Sequence, residues 1–192
     1  MRKIKILIYS LVIVSCLLML TNSCNNGEKA IPDQITISDE NFYMELGITM
    51  INCYTDIYNQ NLAGKPSGTH NITANGPMGG KVTITGNTTY DNTHGIATDD
   101  LVFSMTAVKN TYSIKSSDNK TWITEVTLTG TTTYTGSFSD SYTSLNHQSD
   151  NLYVKGSVTY DGVIRSIDMS GQVIINHSAM TSVNIFGHTV TF

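Results

Sequence analysis

His70, His94, His147, His177 and His188 are the side chains of this sequence best suited to metal binding or proton transfer. No two of them make a helical i,i+4 pair or an HxH pair, and none has a CxxC companion at zinc-site spacing. They read as structural histidines. Asp99 and Asp100 are adjacent, so in a strand they would point to opposite faces; a loop suits them better than an acid–base pair. "DNTHGIATDD", residues 91–100, offers oxygens for calcium but lacks the spacing and terminal glutamate of an EF-hand loop. "GSFSD", residues 136–140, is the nearest approach to a nucleophile elbow and is not one. "GPMGG", residues 76–80, has turn glycines that precede a strand, not the helix a phosphate loop needs. The expectation is therefore a protein that is not an enzyme, with no catalytic residue, metal ligand or cofactor to assign and with its ligand-binding residues unknown.

The start of the chain carries a different kind of chemistry. Arg2, Lys3 and Lys5 precede a run from Ile6 to Leu20 that is apolar except at Ser10 and Ser15. The run is shorter than the roughly 18 residues of a spanning helix and fits a secretory signal. It ends on Thr21, Asn22 and Ser23, followed by Cys24. This arrangement resembles the lipobox of bacterial lipoproteins, although Leu20 stands one position further back than the pattern's leucine. The resemblance implies that Cys24 is the lipid attachment residue and that residues 1–23 are a lipoprotein signal peptide. "IVSC", ending at Cys16, fits the pattern by letter and is the alternative. Asn25 after the cysteine resembles the sorting signal that directs enteric lipoproteins to the outer membrane.

Removing Arg2, Lys3 and Lys5 takes the basic residues from 11 to 8 against 15 acids, a formal net charge of about −7. An acidic exported chain has no basic face for nucleic acid. Cys16 would leave with the signal and Cys24 would carry lipid, so Cys53 would stand alone; it reads as a small buried apolar residue.

Residues 24–37 read as a tether. Ser38 is a good N-cap, and Asp39 and Glu40 suit the positive end of a helix dipole. Phe42, Leu46, Met50, Cys53 and Ile57 recur at helical spacing, widened by Tyr43, Met44, Ile51 and Tyr54. The helix is predicted over residues 38–61, before Gly64 and Pro66.

After residue 67 the pattern is that of strands, rich in Thr, Val, Ile and Tyr with period two. "VTITGNTTY" (82–90), "VTLTGTTTY" (126–134) and "VKGSVTY" (154–160) reuse one strand template. Its apolar face alternates with a Thr-rich face, which predicts an antiparallel sheet wet on one side. Asp161-Gly162 predicts a two-residue hairpin turn. It pairs Tyr160 with Val163, Val158 with Arg165, Gly156 with Ile167, Val154 with Met169 and Lys155 with Asp168. A hairpin at "SSDN", counted from Lys115 and Lys120, places Ala107, Met105, Phe103 and Leu101 opposite Leu128, Gly130, Thr132 and Tyr134. A third, pairing Ala74 with Val82, places His70 opposite Gly86. Glycines facing large side chains suggest a sheet that curls. Tyr90, Tyr134 and Tyr160 are expected to close one end of the core with hydroxyls in water, and Trp122 to lie on the wet face.

The fold expected is mainly β (α+β): one N-terminal helix packed against a curved antiparallel β-meander or partial barrel of about 7–8 strands, forming a single domain over residues 38–192. The function expected is that of an exported, lipid-anchored envelope lipoprotein, an interaction or structural module in the bacterial cell envelope, at the outer membrane. Its partners would be the membrane through the N-terminal lipid and an unidentified envelope protein or hydrophobic ligand. A carrier of a hydrophobic ligand in the concave sheet is the first alternative, by analogy of outline with the periplasmic lipoprotein-carrier fold. A small outer-membrane β-barrel is the second: the ending "SVNIFGHTVTF" resembles the closing strand of such barrels, with Ile185 where a polar residue is usual.

Overall fold

The structure is a computed structural model that describes residues 36–63, 67–93, 96–139, 142–178 and 180–192. Cys16, Cys24, the apolar run before them and His94 lie outside the described residues. One helix, α1 (Asp39–Asn61), is followed by eight strands: β1 (Gly68–Asn75), β2 (Lys81–Asp91), β3 (Ile96–Lys115), β4 (Thr121–Ser139), β5 (Tyr142–Tyr160), β6 (Val163–His177), β7 (Thr181–Ile185) and β8 (His188–Thr191). They form a single antiparallel meander in sequence order, open between β1 and β8.

Helix α1 begins as its sequence dictates. Ser38 Oγ accepts a hydrogen bond from the Asn41 amide, and Asp39 and Glu40 occupy the first turn. Arg165, on the inner face of β6, fixes this end. Its guanidinium lies 4.0 Å from the Phe42 ring, pairs with Asp39 at 2.7 Å and donates to the Ile37 carbonyl. Ile37 is itself buried, so the folded domain reaches one residue into the segment read as a tether.

The helix packs against β3, β4, β5, β6, β7 and β8. Six strands at about 4.8 Å spacing span about 24 Å, twice the width of a helix with its side chains, so a flat sheet could not reach it with both margins. The sheet therefore curls round it. Phe42, Leu46, Met50, Cys53, Tyr54 and Ile57 are sealed against Ile84, Leu101, Phe103, Leu128, Val154, Ile167 and Val183. Gly47 lets β7 approach: a Cβ there would stand 3.3 Å from a Val183 methyl.

Hairpin β5–β6 has the predicted register throughout, from Tyr160↔Val163 to Val154↔Met169, with Lys155 opposite Asp168. Asp161 and Gly162 both take positive φ, the two-residue turn that the Asp-Gly pair favours. Ala74↔Val82 and His70↔Gly86 also hold. Hairpin β3–β4 holds for a less direct reason. Ser116 and Lys120 close the turn, with Asn119 at φ 67, so Lys115 pairs with Thr121 and the register starts one residue out. A bulge at Ala107 (φ 50) absorbs the extra residue. Val108, not Ala107, faces Leu128, and beyond the bulge Met105↔Gly130, Phe103↔Thr132 and Leu101↔Tyr134 stand as predicted.

That bulge belongs to a line of irregularities across the sheet. The ladder also shifts between Thr129 and Thr133 of β4 and between Ser149 and Leu152 of β5. On one side of this crease all eight strands are present; on the other only β3–β6 continue. The outer face of β4 carries Thr129, Thr131, Thr133 and Thr135, all exposed.

Two aromatic expectations are corrected. Trp122 shares strand parity with Val126 and lies on the inner side, stacked on Tyr160 at 4.1 Å. Tyr90 is exposed and Tyr134 is buried, so neither closes the core end with a hydroxyl in water.

Candidate functional site

The inner face is more polar than the strand pattern implied, and its polar groups gather near the two ends of α1. At the end nearer Tyr58, Asp99 is buried on the inner face of β3 while Asp100 points out. The pair lies in a strand rather than the expected loop. Thr88 Oγ1 donates to Asp99 Oδ1 at 2.6 Å, His70 Nε2 lies 3.1 Å from the same threonine oxygen, and Tyr58 is hydrogen-bonded to Asp99. Since the Thr88 hydroxyl donates to the carboxylate, His70 must donate to Thr88. Burial pushes the Asp99 carboxyl above its ordinary range, against the opposing pull of its hydrogen bonds and of His70.

His147, on β5, lies deeper. Its ring stacks on Tyr54 at 4.5 Å and meets the edge of Tyr134 at 4.6 Å, and its Nδ1 has no hydrogen-bond partner. Burial, with His177 nearby, pushes its pKa down to about 3, so the ring is neutral at ordinary pH. The Tyr54 hydroxyl pairs with Thr132 Oγ1 at 3.1 Å. Polar groups thus extend from half-buried His70 into the core, where His147 Nδ1 ends without a hydrogen-bond partner.

In the other half of α1, Glu45 turns inward beside Leu46. It is 5% exposed, its Oε2 has no partner, and burial raises its pKa to about 7. Tyr112 of β3 is close enough for the two to interact electrostatically. Tyr112 pairs in register with Thr124, whose hydroxyl is also buried and unpartnered. Burial, followed by the charge of Asp56, raises the Cys53 thiol to about 12; it is a packed apolar residue, not a nucleophile.

Of the remaining described histidines, His177 lies near His147 and His188 packs elsewhere. His177 Nδ1 bonds Thr181 Oγ1 and His188 stacks on Tyr43 at 4.0 Å. Among the described residues no group of three His, Cys, Asp or Glu is placed to hold a metal ion. Sequence reasoning missed Glu45 and the convergence of Asp99, His147 and Tyr134. Strand parity could have found the last three, because Asp99 shares a face with Leu101, Tyr134 with Leu128, and the Tyr134↔His147 pairing puts that histidine inside.

The convex face holds a depression of about 550 Å³ where the β4–β5 ladder breaks, lined by Thr131, Thr133, Gln148, Asp150 and Asn151 among others. No protein-family model, no curated protein and no solved structure matches the chain.

Proposed function

We propose that this is an exported, lipid-anchored envelope lipoprotein whose domain is a non-enzymatic interaction or structural module. The observation that carries the reading is the basic start, short apolar run and small residues ending at Cys24. Two features of the fold support the second half. The helix occupies the concave side of the sheet, with Phe42, Leu46, Met50 and Ile57 sealed there, where a carrier would hold cargo. The buried polar groups Asp99, Tyr134 and His147 are covered, so a substrate could reach them only by displacing packed structure. A membrane barrel requires a closed ladder, and this sheet is open.

Labelling with radioactive palmitate in a bacterial host tests the anchor. Cys24→Ser is expected to abolish the label and release the protein from the membrane fraction. If only Cys16→Ser abolishes it, attachment is at the earlier cysteine; if neither does, the lipoprotein reading fails. Native mass spectrometry of residues 25–192 separates module from carrier: a bare mass fits the module, and a co-purified lipid would move the reading to carrier.

A further inference from the structure

The outer face of the sheet is polar where β4 carries Glu125 and Thr127 and β6 carries Ser166, Asp168 and Ser170. At the tips of hairpins β3–β4 and β5–β6 that pattern fails. Ile123 and Ile164 flank Thr159 of β5 on the outer face, about 10 Å apart across two strand spacings. Ile164 is 67% exposed, and Ile123 is exposed as well. The inner face of the same tips is apolar too. Ile114, Trp122, Tyr160 and Val163 form one row across four strands, and Trp122 stacks on Tyr160 at 4.1 Å. One inward-facing row further in, Thr124 and Val158 are sealed, whereas all four residues of the tip row are only partly buried. Cover therefore runs out at this row, and one end of the molecule presents apolar side chains on both faces. Single exposed hydrophobics are ordinary, but a group of them at one end marks a contact surface.

The charges of this end are balanced. Its two turns hold Lys115 and Lys120 against Asp118 and Asp161. Lys120 pairs with Asp161 at 2.9 Å, and the Tyr160 hydroxyl donates to Asp118 Oδ2 at 2.8 Å. The tips are thus close to neutral in a chain whose acids outnumber its bases. A neutral apolar end carrying tryptophan and tyrosine suits the head-group level of a bilayer, where these amphipathic rings collect. Selectivity for anionic lipid would need an excess of lysine and arginine, which the tips lack.

The place where the chain enters the fold chooses the occupant. Arg165 donates to the Ile37 carbonyl and pairs with Asp39, so α1 begins at this same end, one inward position from the Tyr160↔Val163 pair. The 12 residue steps from Cys24 to Thr36 can span at most about 40 Å. An anchor at Cys24 therefore keeps this end close to the bilayer, at an effective concentration that makes even a weak apolar contact count.

We propose that the tips of hairpins β3–β4 and β5–β6 are a membrane-docking edge, which seats Trp122, Tyr160, Ile123 and Ile164 against the neutral lipid surface that carries the anchor. The proposal rests on the reading that the chain is lipid-anchored at Cys24.

Trp122 is the sole tryptophan, so its fluorescence reports this edge alone. The mature full chain, purified from the membrane fraction, is reconstituted into vesicles of phosphatidylethanolamine and phosphatidylcholine. Part of the phosphatidylcholine carries a nitroxide near the head-group. Flotation with the vesicles scores the anchor, and quenching of Trp122 by the nitroxide scores the docking. The labelled lipid is expected to lower the fluorescence about twofold relative to unlabelled vesicles. The double variant Ile123→Ser, Ile164→Ser should float equally well and lose at least half of that quenching. Met180→Ser, a position equally exposed but lying between β6 and β7 at the far end of β6, should keep the parent value. All three positions are exposed, and unchanged circular dichroism shows that the variants fold. A chain that does not float refutes the anchor, and the docking with it. A chain that floats with Trp122 unquenched, or quenched equally in the isoleucine variant, overturns the docking alone. Shielding of Trp122 from aqueous acrylamide without quenching by the lipid would assign the edge to a protein partner and overturn the proposal as well.

Discussion

Glu45 and His147 are both 5% exposed, both face the space between α1 and the sheet, and each has a polar atom without a partner. They differ in what surrounds them and in which protonation state burial selects. His147 is enclosed by Tyr54 and Tyr134, and its neutral form is flat, aromatic and well accommodated. Glu45 has Tyr112 nearby, yet desolvation alone is what raises it. Burial acts identically on both by rejecting charge, so it holds the proton on the acid and keeps it off the base.

The consequences for stability have opposite signs. Glu45 titrates near 7 folded against an ordinary 4.5, so its contribution is fully present below 4.5 and is lost as pH rises through 7. His147 titrates near 3 folded against an ordinary 6.5, so its contribution is fully present above 6.5 and is lost as pH falls toward 3. Between 4.5 and 6.5 the two slopes oppose each other at about 1.4 kcal/mol per pH unit each. The domain therefore hides two strong pH dependences behind a shallow one. Asp99 and Asp56, raised by burial, add to the side of Glu45; His177, lowered by burial, adds to that of His147.

Separating the two should give the largest effect at the histidine. In His147→Phe, the loss of stability relative to the parent between pH 6.5 and 3 should disappear, a difference on the order of 5 kcal/mol, read by urea denaturation across pH. A parallel acid limb in parent and variant would show that His147 is not the group charged on acid unfolding. Glu45→Gln comes next. The variant should match the parent near pH 4.5 and exceed it by about 3 kcal/mol at pH 8. Equal gain at both pH values would mean that packing, not ionisation, separates them. Tyr54→Phe leaves Thr132 Oγ1 buried without its partner, and should cost about 1–2 kcal/mol with no pH dependence of its own. The smallest effect is expected at Ser38→Ala, which removes the N-cap acceptor and should cost about 1 kcal/mol by thermal unfolding.

How much of this was legible depended on what local signal each feature left. The β5–β6 register could be counted because Asp161-Gly162 fixes the turn and nothing disturbs the ladder before Leu152. The β3–β4 register was countable only beyond Ala107, since a wider turn and a bulge offset one another and neither marks the sequence plainly. Trp122 belongs inside by its even spacing from Val126, against the wet-face expectation. Glu45 leaves no sign of burial in the sequence, since a carboxylate on a helix is ordinarily solvated, and only a sheet that curls round α1 takes that position out of water. The crease was illegible for a related reason. Asp150-Asn151 reads as ordinary exposed strand or turn, and what makes it unusual is the partner ladder that fails to follow it.

The strict meander has a consequence for the order in which the molecule assembles. Each strand pairs only with its neighbours in sequence, so the sheet can grow one hairpin at a time without long loop closures. The helix is the exception. It is made before any strand, yet its apolar stripe is covered by β3 through β8, and His188 of the last strand stacks on Tyr43 near its start. Until β7 and β8 arrive, Phe42, Tyr43 and Gly47 wait for their cover. The stretch of chain most exposed to misassociation during synthesis is therefore the one that ends most deeply enclosed.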